Sequence, residues 1–419
     1  MENKMNKEEN LSIQALAPIF PNLSFIVHSH LRWDFVWQRP QQIFSRLAQH
    51  YPILFVEDAV TDKEGIGLEI TEPHPNIFRV VPRFNTSAFG NDHEAQDSFY
   101  EQTLSHLHRA LRHHPALRGR FDTPVQWFYS PMSAPFMLNQ FDAIKTVYDC
   151  MDELANFRYA PANIAERERL LLAKADIVFT GGYQLYQSKS RYHSNVHFYG
   201  CGVDVAHFQR ARLASTALPT ELASLPRPIF GYFGVIDERI DYELLVYLGN
   251  AYPSASLIMV GPVVKVDPKS LPRLSNLHWL GQRTYEDLPA LVKSFDVCLM
   301  PFALNDATRY INPTKTLEYM AAGKPIVSTA IPDVVHNFTP IVAIAHSAAE
   351  YAQAVKRASE TPDAQLIQLG IQKADRETWE SIVASMQRRI AECISADRRP
   401  ITASQTEILT GFNKSTEYA

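Results

Sequence analysis

The chain has 419 residues and a mass of 47.6 kDa, and its 40 Lys and Arg against 45 Asp and Glu give a formal net charge of −5. This charge argues against a basic nucleic-acid-binding protein. Hydrophobic residues make up 46% and charged residues 20%, as in folded globular chains rather than disordered ones. At about 150 residues per domain, the length is too great for one small domain, and we expect two.

The cysteines and the apolar segments indicate a cytoplasmic protein. The four cysteines lie far apart and form neither a C-x-x-C pair nor a cluster with zinc-ligand spacing. The apolar stretch at 11–20 is interrupted by polar residues and a proline, which suits a secretory signal poorly. No apolar run approaches the ~18–20 residues of a membrane span, so membrane contact, if any, is expected to be peripheral, at the inner face.

In the first half of the chain, short apolar runs alternate with segments of helical periodicity. This alternation predicts a parallel sheet covered by helices, and hence the α/β class. Helices are predicted at 38–49, 97–113 and 162–174, and strands at 24–28, 53–56, 77–81, 125–129, 146–148, 177–180 and 196–199.

The same rhythm restarts after a weakly patterned stretch at about 205–227 and predicts a second α/β sheet. Its predicted helices are 242–248, 286–293, 313–322 and 348–359, and its strands are 229–233, 257–260, 277–280, 297–300, 325–328 and 341–344. We therefore expect an N-terminal domain at 21–205, a C-terminal domain at 206–373, an amphipathic helix at 374–395 that crosses back to the first domain, and a tail at 396–419. Two doubly wound, Rossmann-like domains would face each other across a cleft.

The strongest local signal is the segment 311–325. Asn312 is a good N-cap, Pro313 a good first helical residue, and Gly323 a good stop, so a helix of about ten residues is predicted. Lys315 in the first turn and Glu318 one turn later would share one face, suited to a phosphate and to the hydroxyls of a ribose. The alternative is an ordinary exposed ion pair on an amphipathic helix.

A glycine turn in the second domain gives a weaker signal. Residues 231–241 run from a strand through Gly231 and Gly234 towards Arg239, which could present its guanidinium to a diphosphate. The alternative is a tight connection followed by solvated charges.

Two first-domain loops carry residues suited to ligand contact. The loop after the first strand, 28–42, is rich in Trp, Arg and His, and residues 148–154 bring acidic side chains to the end of another strand. The alternatives are packing for the tryptophans and helix capping for one of the acids. No metal site follows from the His28-x-His30 spacing, because no third ligand can be named. The candidates on this side are His30, Arg32, Trp33, Asp34, Arg39, Asp149 and Asp152.

Together these segments resemble the GT-B fold glycosyltransferases, namely the group 1 family that includes teichuronic-acid-type enzymes. Residues 312–325 look like the donor-site helix of that family, and Cys201-Gly202-Val203-Asp204 looks like its domain junction. The resemblance covers about residues 23–395.

The resemblance implies transfer of a sugar from a nucleotide-diphosphate-sugar donor to a saccharide or lipid-linked acceptor in glycan or polysaccharide biosynthesis. It implies Glu318 on the ribose and Lys315 and Arg239 on the diphosphate, with no cofactor and no obligatory metal ion, since Arg, Lys and backbone N–H groups can stabilise the departing diphosphate. The first domain would hold the acceptor. The implied donor-binding residues are Gly234, Asn312, Pro313, Thr314, Lys315 and Glu318.

The sequence departs from the family at one informative position. Retaining members carry a second glutamate where this chain has Tyr310. The donor helix favours retention of anomeric configuration, whereas an inverting enzyme would need a base, for which Asp34 and Asp152 are the candidates. Two other functions stay open on this scaffold: a non-hydrolysing nucleotide-sugar epimerase, and a glycosyltransferase-like binding subunit without turnover.

Overall fold

A computed structural model describes residues 22–62, 65, 67–85, 93–157 and 159–397 of the chain. The amino-terminal apolar stretch and all but the first two residues of the predicted tail lie outside the described residues. The strands are β1 (Phe25–Ser29), β2 (Ile53–Glu57), β3 (Val60–Asp62), β4 (Gly67–His74), β5 (Ile77–Asn85), β6 (Val125–Phe128), β7 (Lys145–Cys150), β8 (Ile177–Thr180), β9 (Val196–Phe198), β10 (Ile229–Phe233), β11 (Ser256–Val260), β12 (Leu277–Trp279), β13 (Val297–Met300), β14 (Ile326–Thr329) and β15 (Ala343–Ala345).

The helices alternate with these strands along most of the chain. They are α1 (Arg39–Leu47), α2 (His93–His113), α3 (Ala134–Met137), α4 (Ile164–Lys174), α5 (Tyr183–Lys189), α6 (Val205–Phe208), α7 (Thr220–Ala223), α8 (Tyr242–Ala251), α9 (Leu288–Ser294), α10 (Lys315–Ala321), α11 (Pro332–Phe338), α12 (Ala348–Glu360), α13 (Ala364–Arg376) and α14 (Trp379–Asp397). No helix among the described residues is long and apolar enough to cross a bilayer.

The strands form two separate sheets, which confirms the predicted α/β class with two doubly wound units. The first sheet has the order β3-β5-β2-β1-β6-β7-β8-β9, with β4 added antiparallel to β5, and the second has the order β12-β11-β10-β13-β14-β15. Every other pairing is parallel. The strand order reverses between β1 and β6 in the first sheet and between β10 and β13 in the second, and crevices for ligands form at the carboxyl ends of the strands next to such points.

Most strand predictions are confirmed because the central strands are buried on both faces. Residues 177–180, 229–233 and 297–300 are strands with the predicted limits, and all their residues are buried. A strand covered by helices on both sides reads as one continuous apolar run. The strands β3 and β4 were not predicted, since β4 lies at the sheet edge and leaves much of its polar sequence exposed.

The last predicted helix is divided in two by the domain junction. Where an amphipathic helix at 374–395 was predicted, α13 ends at Arg376 and α14 begins at Trp379. The N–H of Val203 donates to the carbonyl of Glu377, and Val203 forms a bridge with Thr378, so strand-like pairing replaces the helix there. Apolar residues of α14 then pack into the core beneath β1, so this helix joins the first domain.

Candidate functional site

A cavity of about 490 Å³ lies between the carboxyl ends of the two sheets. The loops after β1, β7 and β8 form its first-domain wall, and the loops after β10, β11 and β13 together with α10 form its second-domain wall. Its size is within the range of sites for small molecules. The cavity therefore occupies the place that doubly wound sheets use for ligands.

A close backbone contact shapes the second-domain wall. Gly234 and Gly261 have φ angles of +141° and +146°, and a Cβ on Gly261 would lie 1.8 Å from the carbonyl oxygen of Gly234. A Cβ on Gly234 would lie 2.9 Å from Cε of Lys315. Only glycine adopts such φ angles readily, so both glycines keep the strand ends open towards the Lys315 side chain.

Lys315 and Glu318 line this wall and are the central charged groups of the cavity. The ammonium of Lys315 lies 5.1 Å from the ring centroid of Tyr232 and 5.2 Å from that of Phe302. Burial lowers the pKa of Lys315, an effect that the nearby Arg239 reinforces, and burial raises the pKa of Glu318. Neither side chain forms a hydrogen bond or ion pair with a described residue. The alternative that Lys315 and Glu318 form an ordinary exposed ion pair is therefore wrong, and both charges face the cavity.

The predicted start of the helix is wrong by two residues. The helix α10 begins at Lys315 with Thr314 as its N-cap, and Asn312 caps nothing. Instead, Nδ2 of Asn312 donates to the carbonyl of Gly181 in the first domain, at 3.0 Å. This contact ties the segment before the helix to the first domain. Asn312, Pro313 and Thr314 still line the cavity, and Oδ1 of Asn312 is buried without a partner in the described part of the chain.

Arg239 lines the cavity, but its guanidinium already has a partner. It forms hydrogen bonds of 2.7 to 3.1 Å with both carboxylate oxygens of Asp237 and lies over the ring of Phe157. Asp237 therefore fixes the direction in which this guanidinium points. A diphosphate in the cavity would meet one cation without a carboxylate partner, Lys315, and one that Asp237 orients.

Two residues predicted on the acceptor side pair with each other beneath the cavity. The guanidinium of Arg39 lies 3.0 to 3.1 Å from the carboxylate of Asp149, and both side chains are almost completely buried. Arg39 also donates to the carbonyls of Tyr199 and Gly200. Arg39 reaches the cavity lining, whereas Asp149 does not. The pair ties the start of α1 to the ends of β7 and β9, which is a structural arrangement rather than a ligand contact.

The loop after β1 divides into residues that face the cavity and residues that do not. Arg32 donates to the buried carboxylate of Glu57, and neither Arg32 nor His30 lines the cavity, in contrast to the prediction. Trp33 does line the cavity, but it is 5% exposed and packs edge-on against neighbouring rings, in agreement with the alternative that the tryptophans serve packing. Asp34 lines it at a more exposed position, where Arg79 donates to its carboxylate at 2.6 Å.

Asp152 faces the second domain across the cavity. Burial raises its pKa to about 6, while the positive charges of Arg239 and Lys265 oppose that rise. No described residue donates a hydrogen bond to its carboxylate. Of the two carboxylates predicted as candidate bases, Asp152 is the one without a cation in direct contact, and this placement favours a ligand contact over helix capping.

Several cavity residues were missed by the sequence analysis. Tyr285 stacks on His207 at 4.2 Å between ring centroids, and Gln282 donates to the carbonyl of Phe35 at 3.1 Å. Both follow β12 in a segment without a motif, so the sequence carried no signal for them. Trp37, by contrast, lies in the loop at 28–42 whose tryptophans the sequence indicated for ligand contact, and it lines the cavity. In the described part of the chain, no three His, Cys, Asp or Glu side chains come close enough to hold a metal ion.

Tyr310, which stands where retaining members of the resembled family carry a second glutamate, lies at the domain interface. Tyr310 packs against a hydrophobic cluster of the first domain and does not line the cavity. Nearby, the buried carboxylate of Asp333 in the second domain accepts hydrogen bonds from the N–H groups of Tyr183 and Gln184 at the start of α5, at 2.7 and 3.1 Å. The start of α5 therefore provides a second tie between the domains.

Comparison with known proteins agrees with this architecture. Residues 236–361 match the family model described as glycosyl transferases group 1. TuaH of Bacillus subtilis (strain 168), which carries the name of a teichuronic acid biosynthesis glycosyltransferase, is 24% identical over 264 residues. That match covers 59% of this chain and 64% of the relative, so the chain spans less than two thirds of that protein.

Solved structures show the same fold over nearly the whole chain. A sucrose-phosphate synthase from Thermosynechococcus elongatus gives a TM-score of 0.64 at 18% identity, covering 89% of this chain and 100% of its own. A trehalose-6-phosphate structure from E. coli, bound with UDP-2-fluoro glucose, gives 0.63 at 14% identity, covering 88% and 99%. Residues 236–361 therefore match the model of a group 1 glycosyl transferase domain, and the chain has the two-domain GT-B fold of these solved structures.

Proposed function

We propose that the protein transfers a sugar from a nucleotide-diphosphate-sugar donor to an acceptor in glycan or polysaccharide biosynthesis. The observation that carries this proposal is that the ammonium of Lys315 and the carboxylate of Glu318 both line the second-domain wall of the cavity, where neither forms a hydrogen bond or ion pair with a described residue. A nucleoside diphosphate offers the complementary groups, namely an anionic diphosphate and the two hydroxyls of a ribose.

The donor is bound mainly by the second domain. Lys315 and Arg239 contact the diphosphate, Glu318 accepts hydrogen bonds from the ribose hydroxyls, and the turn at Gly234 lets the ligand approach the backbone. The E. coli structure bound with UDP-2-fluoro glucose supports a nucleotide sugar as the ligand class for this fold. The name of the Bacillus relative, a teichuronic acid biosynthesis glycosyltransferase, supports a role in glycan or polysaccharide biosynthesis. A cytoplasmic location, with any membrane contact peripheral, is part of the same proposal.

In the transfer step, an acceptor oxygen forms a bond to the anomeric carbon of the donor while the bond from that carbon to the diphosphate breaks. The diphosphate leaves with the bonding electron pair, and the proton of the acceptor hydroxyl passes to it. Lys315 and Arg239 stabilise the negative charge that develops on the diphosphate. The proposed reaction retains anomeric configuration and needs no divalent cation.

A first experiment tests the donor site. Thermal shifts are measured with UDP, GDP, ADP, TDP and CDP on the wild type, Lys315→Met and Glu318→Gln. The matched controls are Lys356→Met and Glu360→Gln, which make the same changes on the exposed surface of α12. Ligand at a hundred times its Kd stabilises by about 2.7 kcal/mol. We expect one nucleotide to shift the wild type and the controls but not the two cavity variants.

A second experiment tests the reaction. The nucleotide that binds is supplied as a nucleotide sugar with a panel of acceptors, with and without EDTA, and the products are examined by NMR. Transfer with retention and without loss in EDTA supports the proposal in full. Inversion would assign Asp152 as the base, since Asp34 is engaged by Arg79. Conversion of the donor without an acceptor indicates the epimerase, and nucleotide binding without turnover indicates the binding subunit.

A further inference from the structure

Two aromatic side chains stay open to the cavity on its first-domain wall. Phe35 and Trp37, in the loop between β1 and α1, line the cavity, yet they are 42% and 38% exposed. The proposed donor contacts lie on the opposite wall and use neither ring. Large exposed aromatic side chains in a concave site mark a surface that a ligand covers, and tryptophan is prominent among residues that anchor ligands.

The loop that carries Trp37 is held from both domains. The ring of Trp37 lies edge-on to that of Trp33, with 6.0 Å between ring centroids, and Trp33 itself packs against Phe55 at 5.1 Å. On the other side, the ring of Trp37 lies 6.3 Å from that of Tyr285 in the second domain. The indole thus has aromatic neighbours in both domains while the side chain stays 38% exposed, so little conformational entropy is lost when a ligand stacks on it.

The charges of this wall disfavour an anionic ligand. Among the described first-domain residues that line the cavity, Arg39 is the one Lys or Arg, and Asp149 neutralises it. Asp34 and Asp152 add two carboxylates to the same wall; Arg79 pairs with the first, whereas no described residue pairs with the second. His30 behind the loop adds no positive charge near neutral pH, because burial lowers its pKa to about 4. The nearby second-domain cations Arg239, Lys265 and Arg283 each have a carboxylate partner, so a phosphate or carboxylate placed on this wall would face Asp152 without an unpaired cation beside it.

A sugar ring has the opposite requirements. Its C–H face is apolar and stacks on an indole, whereas its hydroxyl groups donate hydrogen bonds to carboxylates. We infer that the acceptor is an uncharged saccharide, one ring of which stacks on Trp37 while its hydroxyls reach Asp152. This inference rests on the proposed function, because a saccharide bound at this wall is an acceptor only if the donor lies on the opposite one.

The test uses the full chain saturated with the nucleotide that stabilises it. A broad glycan array identifies neutral saccharides that bind, and calorimetry compares each with its 6-phosphate. The variants are Trp37→Ala and Trp37→Phe, with Tyr247→Ala on the exposed face of α8 as the matched control. Trp37→Leu, which keeps apolar volume without an aromatic face, replaces the alanine variant if that variant loses its cooperative thermal transition.

We expect each neutral saccharide to bind at least about tenfold more tightly than its 6-phosphate, because like charges oppose each other across the interface. Loss of stacking in Trp37→Ala should weaken binding about tenfold, whereas Trp37→Phe should stay within about threefold of the wild type. The control should bind as the wild type does.

Three results would overturn the inference: 6-phosphates that bind as tightly as the neutral sugars, unchanged binding in Trp37→Ala, or no neutral saccharide bound on the array. Each of them, found in a chain that binds nucleotide, leaves the proposed donor site intact. A wild type that responds to no nucleotide contradicts the proposed function instead, so the two failures are distinguishable.

Discussion

The buried pair of Arg39 and Asp149 gives the most direct test of whether a residue beneath the cavity acts on ligand or on stability. In Arg39→Met, the carboxylate of Asp149 would stay fully buried without its cation, and the carbonyls of Tyr199 and Gly200 would lose a donor. Removing one partner of a buried ion pair costs about 3 to 5 kcal/mol. For a domain of this size, that corresponds to a fall in Tm of roughly 6 to 20 °C.

The assay is urea unfolding followed by tryptophan fluorescence, since Trp127 lies in the same first-domain core. Arg39→Met, Asp149→Leu and the double variant complete a double-mutant cycle. Because the double variant removes both charges together, we expect a coupling energy of at least about 2 kcal/mol. The exposed pair Arg389 and Glu392, treated in the same way, should change the free energy of unfolding by less than about 1 kcal/mol.

A different outcome would refute the structural reasoning. If Arg39→Met kept its stability within about 1 kcal/mol of the wild type but lost acceptor binding, the guanidinium would contact substrate. Additive effects in the cycle would also contradict the pairing, since independent sites add to within about 0.5 kcal/mol.

Three further predictions concern the second-domain wall and the domain interface. In Gly261→Ala the new Cβ would clash with the backbone, which should weaken nucleotide binding and lower the free energy of unfolding by about 1 to 3 kcal/mol. The control Gly119→Ala, also at positive φ but in open space, should leave nucleotide binding unchanged in the same titration. Affinity for a nucleotide sugar should rise with pH as Glu318 deprotonates, above the usual carboxyl range, and should fall as Lys315 deprotonates, below the usual lysine range, because both groups must be charged to bind the ligand. Calorimetry across pH should show that Glu318→Gln loses the rise on the acid side. A wild-type affinity that does not change with pH would contradict the assignment. Asp333→Ala should cost about 0.5 to 2 kcal/mol and speed hydrogen exchange of the first amides of α5, whereas unchanged exchange would mean that this cap between the domains is not formed.

The prediction for Asp333 includes a dependence of stability on pH. Burial raises the pKa of this carboxyl to about 6, above the ordinary value of 3.8. The folded chain then binds more protons than the unfolded chain between these two values, so this group makes stability fall as pH rises from about 4 to 6. Asp333→Asn keeps an acceptor oxygen without the titration, and its unfolding free energy should lose that slope.

The sequence by itself determined the class of fold and the positions of the central strands. The strands at 177–180, 229–233 and 297–300 were predicted correctly because burial on both faces requires an unbroken apolar run. The sequence also placed Lys315 and Glu318 together, since two residues three positions apart on a helix share one face whatever surrounds the helix. The edge strand β4 was missed, because its exposed sequence carries no such constraint.

The tertiary structure decided where the helices end and which charges remain available. Asn312 is drawn to a carbonyl of the first domain, so α10 starts later than its local sequence indicates. Arg39 and Arg239 look equivalent in sequence as cations near strand ends, yet one is neutralised by Asp149, 110 residues away, and the other is oriented by Asp237 in the cavity wall. Local spacing fixes contacts within one element, whereas the partners of a charged side chain come from whichever distant segments the fold brings beside it.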